Sequence, residues 1–518
     1  MKLTRKWFFR IIFIVPATFS LFLFTKSLAE FLKWKNRKAE WYEKIGDEKY
    51  NLGKYGEALS NYLKSESLDP KNASIYRKIG KIYLEKGILN EEKDFLGAKK
   101  SLEKSIELDS KNEESFKLLS ETYYLLGEKE LSVDILDRFD GEKSKDFEAF
   151  AGKMNLLVLD PDKFSGFEKA SEFFSSALSK DPGNIDLMIY LAASRAPIRL
   201  VETKDLVEKI IETDKTQKTE AFSKAIKIRN AIALFDASDP LIKNYQYGIA
   251  FYESGFFKTS LFFLNEANLI DPTYAPAFFL KGKVYLDLKD YTSAKSSFET
   301  VIKLQPFNSE AIYYLAKTLT FFENPEESIE YFDLAIKKNY YSEDLFFDYG
   351  ETLLKLNIKS KAKEKFQEAL FTNPAHIKAR ERLLKIYIEE ENFSEVEKLI
   401  EDARKIYFEE EYPFGDFLYL IYSSSKENLL EDGEKAAQSL IEKSEKSEFL
   451  RLKLSDIYYY KGKIEKALGK TKEAQKSFLN ALDYDLRGEI SELVVLELEN
   501  ESLEPERKSF WWWLKEIQ

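Results

Sequence analysis

Apolar residues in this chain recur at a fixed step. Leu264, Phe298, Phe332, Phe366 and Ile400 form a bulky column, each 34 residues after the last, and Ala267, Val301, Ala335, Ala369 and Ala403 form another. A third column is small: Gly248, Gly282, Ala316 and Gly350. Prolines close the segments at Pro272, Pro306 and Pro374, with Tyr340 in the slot between the last two. Chance does not hold four columns in register over this many segments. Such self-similarity marks a repeat array, in which each unit buries its sides only against the next. Within Ala275–Asn308, Gly282 and Ala294 are small enough for two helices to approach closely. Tyr285 and Phe298 fill the space between neighbouring units, and Pro306 stops the second helix because it cannot continue the hydrogen-bond ladder. The pattern predicts an all-α chain of helical hairpins.

The landmarks extend in both directions. Gly46, Gly53, Tyr55, Ala58, Tyr62 and Pro70 outline a unit near the start. Gly80 opens the next, which carries an insertion around Leu89–Phe95 before resuming at Ala98. Glu113–Phe139 is a weaker third unit with Tyr123 and Gly127, and Asp146–Asn184 closes with Ala170, Phe174, Ala177 and Pro182. Gly462, Gly469, Ala474, Phe478 and Ala481 mark a unit near the end. These residues resemble the tetratricopeptide-repeat (TPR) family, whose unit of about 34 residues folds as helix–turn–helix. The resemblance covers most of Lys38–Leu486 and implies a TPR superhelical solenoid of stacked repeats. It fades over Ile185–Pro240, which is helical by its apolar spacing, and again through Phe408–Lys443. The organisation so read has six parts. A signal-anchor or transmembrane segment (1–36) precedes an N-terminal array (37–184), a divergent helical connector (185–240) and a central array (241–407). Divergent and regular C-terminal units (408–486) follow, then a capping helix with an aromatic tail (487–518).

In this family the first helix of each unit lines the concave face, so the resemblance implies where a partner is held. Three residues before each small landmark stand Tyr245, Phe279, Tyr313 and Phe347. Tyr252, Leu286 and Leu354 lie at a neighbouring position, and Lys283 and Lys317 one residue past their landmarks. Such rings offer contact area at low entropy cost and suit an apolar helix or extended segment of another protein. Their alternative role is to pack between adjacent first helices and complete the core. The residue just past each landmark is Asp47, Lys81, Glu121, Ile249, Lys283, Lys317, Glu351 or Lys385, and never asparagine. The family's carboxylate clamp for a peptide C-terminus is therefore disfavoured, and a hydrophobic or mixed partner fits better.

Composition narrows the function classes. With 44% hydrophobic, 33% charged and 15% aromatic residues the chain can fold and stay soluble. Its 13 prolines and 20 glycines are few for 518 residues and suit long helices. A net charge of -11, with no basic stripe beyond the first forty residues, argues against a nucleic-acid partner. The absence of cysteine excludes disulfides, thiolate metal sites, a catalytic thiol and a lipidated cysteine. His376, the sole histidine, stands in a turn after Pro374, and one histidine cannot make a two-histidine zinc site or proton relay. No glycine-rich phosphate loop or nucleophile elbow occurs. Neither cofactor, metal nor catalytic residue is expected, and the chain reads as a non-enzyme.

The two ends stand outside the repeats. Lys2, Arg5 and Lys6 precede an apolar run from Ile11 to Phe24. It reads either as a cleavable signal peptide, with small residues at Ser27-Leu28-Ala29, or as an uncleaved anchor. Lys26 beside the would-be cleavage site favours the anchor. Trp7 and Trp34 lie 27 residues apart, about 40 Å of helix, and tryptophan prefers the two membrane interfaces. The leading basic residues place the bulk of the chain outside the cytoplasm, whereas Lys26, Lys33, Lys35, Arg37 and Lys38 argue the reverse. The order of a basic and then an apolar region favours the extracytoplasmic side. At the other end Glu489–Asn500 reads as a cap on the array. Beyond it Phe510, Trp511, Trp512 and Trp513 form a docking peptide for a partner or membrane, or fold back on the last repeats. Bacterial TPR proteins of this layout are similar to those serving secretion, pilus or flagellar-collar machines. The resemblance thus implies a membrane-tethered scaffold for protein–protein contacts within a larger homo- or hetero-oligomeric assembly. The other reading is an accessory protein for polysaccharide or peptidoglycan whose groove tyrosines stack sugars.

Overall fold

A computed structural model describes residues 33–51, 55–87, 92–322, 325–407 and 413–484, with Ile490, Leu493, Val494 and Glu497. All regular structure among these residues is helical. Trp7, the run Ile11–Phe24 and the tail residues Phe510–Trp513 lie outside them. Among the described residues no helix is long and apolar enough to cross a membrane.

The hairpin of Ala275–Asp287 and Tyr291–Leu304 shows how the local sequence builds a unit. Pro276 sits in the first turn, where its missing N–H has no intrahelical partner to lose. The Asp290 side chain caps the second helix by accepting from the Ser293 N–H at 3.1 Å. Between the helices Lys289 takes a left-handed φ of 57°. The equivalent residue, seven past the small landmark, is left-handed also at Gly127, Gly255, Asn357, Glu391 and Gly469. The close approach of the helices explains the glycine column. A Cβ on Gly282 would stand 2.5 Å from the Phe298 ring, and one on Gly350 2.6 Å from Phe366. The small and bulky columns are thus two sides of one contact. Phe298, Phe332 and Phe366 are fully buried, as are Ala267, Val301, Ala335, Ala369 and Ala403. Each buried ring contributes about 2–3 kcal/mol of hydrophobic stabilisation.

Contacts divide the chain into two compact units. The first comprises residues 1–141, 453–462 and 471 onward. Its hairpins pair residues 33–51 with Tyr55–Leu68, Ala73–Gly87 with Glu92–Leu108, and Glu113–Leu125 with Lys129–Asp137. Helix Thr471–Tyr484 belongs to the same unit and touches Tyr55–Leu68. Of the expected cap, Ile490 and Val494 join Tyr459, Phe478 and Ala481 in one buried cluster.

The second unit comprises residues 142–452 and 463–470. It opens with Lys145–Val158 and Phe164–Lys180. The divergent stretch that follows is a hairpin, Ile185–Arg195 with Leu200–Thr213, and then a lone helix, Glu220–Phe235. Regular hairpins resume at Pro240–Glu253 with Phe257–Ile270. The stretch is no loose linker, because buried side chains run without a break from Leu156 to Phe263. Asp214 ties the turn into the lone helix: its carboxylate accepts from both the N–H and the hydroxyl of Thr216 and of Thr219. Those bonds hold its pKa down at about 2, the Thr216 and Thr219 hydroxyls contributing most. Thr259 Oγ1 donates to the Ala193 carbonyl at 3.1 Å, and the Phe262 ring meets Phe164 and Phe167 edge-on. Near the end of the unit Phe414–Ser423 pairs with Leu430–Lys443 despite lost landmarks. There the small residue has moved to the second helix, where a Cβ on Gly433 would overlap Ser423.

Candidate functional site

In the second unit the first helices of successive hairpins, Pro240–Glu253, Ala275–Asp287, Ser309–Leu319 and Glu343–Lys355, contact one another more closely than the second helices do. The first helices therefore line the inner side of the local curve. On that side Tyr252, Phe279 and Tyr314 surround the Lys283 ammonium, whose Nζ stands 5.9, 5.9 and 5.5 Å from the three ring centroids. All four side chains are partly exposed. The rings also brace each other: Phe279 meets Tyr314 edge-on at 5.5 Å, and Tyr314 stacks on Phe298 at 5.5 Å. Burial, then hydrogen bonding to Asp287, holds the Tyr252 phenol well above its usual range. Burial pushes Tyr314 up to about 12. Both stay neutral donors at physiological pH.

Charged residues join neighbouring first helices in a regular way. Lys317 Nζ lies 2.9 Å from Asp348 Oδ2. Arg382 grips Glu351 with two bonds of 2.7 and 2.9 Å, and in the first unit Lys78 pairs with Asp47 at 2.6 Å. Each pair is 31 residues apart, three fewer than the repeat, because the residue after one landmark faces the residue two before the next. At the equivalent seam Lys283 meets Tyr314 instead of a carboxylate. It makes no ion pair among the described residues, so it is a cation of this groove with capacity for an external partner.

The chain also matches known proteins. The family models described as TPR repeat and tetratricopeptide repeat match residues 46–87 and residues 275–308 and 455–487, respectively. The TPR repeat-containing protein YpiA of Bacillus subtilis (strain 168) is 24% identical over 256 residues, 49% of this chain and 50% of that protein. Tetratricopeptide repeats are present at residues 46–87, 275–308 and 455–487. The chain spans about half the length of the curated relative it matches. Among solved structures, YrrB, described as a TPR protein with an unusual peptide-binding site, is 18% identical. That match covers 40% of this chain and 96% of YrrB with a TM-score of 0.26. A MamA fragment from Desulfovibrio magneticus RS-1 is 17% identical over 33% of this chain and 98% of its own, with a TM-score of 0.30. A chain of the APC/C hetero-tetramer Cut9-Hcn1 is 12% identical over 89% and 96%, with a TM-score of 0.35.

Within the central hairpins the expected groove residues divide. Tyr252, Phe279 and Lys283 come together as described. Tyr245 is half-buried against Tyr274, their ring centroids 5.2 Å apart. Phe347 packs between Phe366 and His376. Tyr313 is only 3% exposed; its hydroxyl donates to Asp348 at 2.9 Å and its ring stacks on Tyr340. Lys317 joins that arrangement through its ion pair with Asp348, so its charge is already matched within the hairpins. His376 caps the helix Ile377–Glu389, its Nδ1 accepting from the Ala379 N–H. Trp34 is half-exposed, the second described residue of helix 33–51.

Sequence reasoning missed Tyr314 and a cleft of about 370 Å³ in the first unit, lined among others by Asp47, Tyr50, Arg77 and Lys81. The Tyr50 hydroxyl donates to Glu85 there. Burial raises the Glu85 carboxyl, and burial with the charges of Glu114 and Glu85 raises Glu121. The register that yields Tyr245, Phe279, Tyr313 and Phe347 yields Glu43, Arg77 and Lys117 in these repeats. Followed to the N-terminal units, it carries the signal: charged residues there, aromatic ones in the centre. Among the described residues no cluster of carboxylates and histidine is arranged to hold a metal ion.

Proposed function

We propose that the protein is a non-enzymatic, membrane-tethered scaffold that holds protein partners in the groove of its central repeats during assembly of a cell-envelope complex. Proteins of this repeat class work chiefly through protein–protein contacts, and the groove chemistry carries the reading here. The observation that supports it most is the open ring cluster of Tyr252, Phe279 and Tyr314 with Lys283 above it. Such a site suits an apolar side chain followed by an acidic group of a partner segment. The apolar run Ile11–Phe24 favours a chain tethered to the membrane, and the basic residues ahead of it favour a bulk on the extracytoplasmic side. A secretion, pilus or flagellar-collar type of machine fits that setting.

The test is a photo-crosslinking phenylalanine analogue placed at position 279 in living cells. A specific protein adduct, identified by mass spectrometry and lost with Lys283→Ala, is expected. Adducts to carbohydrate, or none, would overturn the scaffold reading. Protease protection of a C-terminal tag reports the orientation.

A further inference from the structure

We infer that one face of the first helix, carrying Trp34 and Trp41, lies on a bilayer surface rich in anionic headgroups. The inference deepens the membrane-tether reading and rests on it. Helix 33–51 turns one side into the first hairpin, where Ala39 is buried and its carbonyl accepts from Ser65 Oγ at 2.8 Å. On another side Trp34 is 50% exposed and Trp41 56% exposed. Arg37, Lys38, Trp41, Lys44 and Ile45 follow Trp34 by three, four, seven, ten and eleven residues, so the six share one helix face. Lys38 Nζ stands 5.0 Å from the Trp34 ring centroid.

The charge of this face is complementary to a phosphate-rich surface. Between positions 33 and 44 five basic residues stand against two acidic ones, in a chain of net charge -11. None of Arg37, Lys38 and Lys44 forms an ion pair among the described residues, whereas Lys78, Lys99 and Lys145 do. Tryptophans set beside such cations match the layered chemistry of a membrane interface, where rings sit at headgroup depth and ammonium groups meet lipid phosphates. Chain connectivity selects a bilayer over an acidic protein as occupant. The apolar run ends at Phe24, ten residues before Trp34 in the sequence. Insertion of that run would hold this face at the membrane.

The absence of cysteine makes the test direct, because a single introduced thiol is labelled uniquely. Full-length Ile45→Cys and Asn36→Cys chains would carry a bimane label and be mixed with vesicles of phosphatidylcholine, with or without phosphatidylglycerol. Residue 45 lies on the proposed face and Asn36 is exposed on the other side. In anionic vesicles the label at 45 should be shielded from iodide and quenched by headgroup-bound nitroxide, while the label at 36 stays in water. Combined Arg37→Gln, Lys38→Gln and Lys44→Gln should return it to water, each lost charge weakening surface binding roughly fivefold. Trp34→Ala with Trp41→Ala should do the same, with circular dichroism checking the fold. Equal iodide access at 36 and 45 on vesicles that float with the chain would overturn the inference and leave the tether standing. Shielding before lipid is added, or undiminished in neutral vesicles, would also overturn it. Shielding on chains that carbonate strips from vesicles would uphold the surface and sink the tether.

Discussion

Tyr313 and Phe279 occupy the same register, yet their neighbours assign them different work. The slot that holds Pro306 beyond Phe279 holds Tyr340 beyond Tyr313, and the Tyr340 ring lies over Tyr313 with centroids 5.2 Å apart. One ring is thereby closed in and the other left open beside Lys283. Small residues are equally specific. Gly282→Ala should destabilise its hairpin by about 1–3 kcal/mol, since the new methyl must displace the Phe298 ring. Faster amide exchange confined to residues 275–304 would register that loss, and unchanged exchange would contradict the contact. Asp214 gives a pH dependence. Its folded pKa lies below that of an unfolded carboxyl, so its stabilising effect is complete above about pH 4 and is lost as the pH falls toward about 2. The protection of the Thr216, Gln217 and Thr219 amides, taken against their intrinsic exchange rate at each pH, should fall over that interval, and Asp214→Asn should abolish this pH dependence.

At the scale of the element, the seam between first helices is the repeating unit of interaction. Asp47–Lys78, Lys317–Asp348 and Glu351–Arg382 use the same two positions with either polarity. Polarity should therefore be exchangeable. Glu351→Arg alone sets two cations face to face, and Arg382→Glu alone two anions. The double variant should recover roughly 0.5–1 kcal/mol of coupling, as expected for partly exposed pairs. A double-mutant cycle that shows no coupling would mean that packing alone sets the seam. The hairpins themselves were legible, because small, bulky and proline columns each mark a contact made within 34 residues. The lone helix Glu220–Phe235 was not. Its periodicity announces a helix, but whether a helix pairs forward, backward or not at all depends on partners outside its own window. The missing landmark of Phe414–Ser423 has a like cause: Gly433 supplies the close approach from the opposite helix.

At the scale of the molecule, the first unit joins segments from both ends of the chain, with helix Thr471–Tyr484 touching Tyr55–Leu68. Repeat arrays are held together by nearest-neighbour interfaces, so a contact of such sequence separation adds stability that no single hairpin contains. Removal of residues 453–518 should raise amide exchange in residues 55–68 while leaving residues 275–304 near their original rate. Equal exchange in both regions would exclude the contact.

The sequence by itself determined that this chain is helical, repeats every 34 residues and buries its aromatic and alanine columns, because those properties arise between residues close along the chain. It determined the placement of the apolar run and the missing chemistries in the same local way. Only the tertiary structure decided which groove rings stay open, where Lys283 lacks a carboxylate, how the divergent stretch packs, and that Trp34 and Trp41 are exposed together. Those outcomes depend on side chains brought near from other hairpins, and no periodicity within one segment records them.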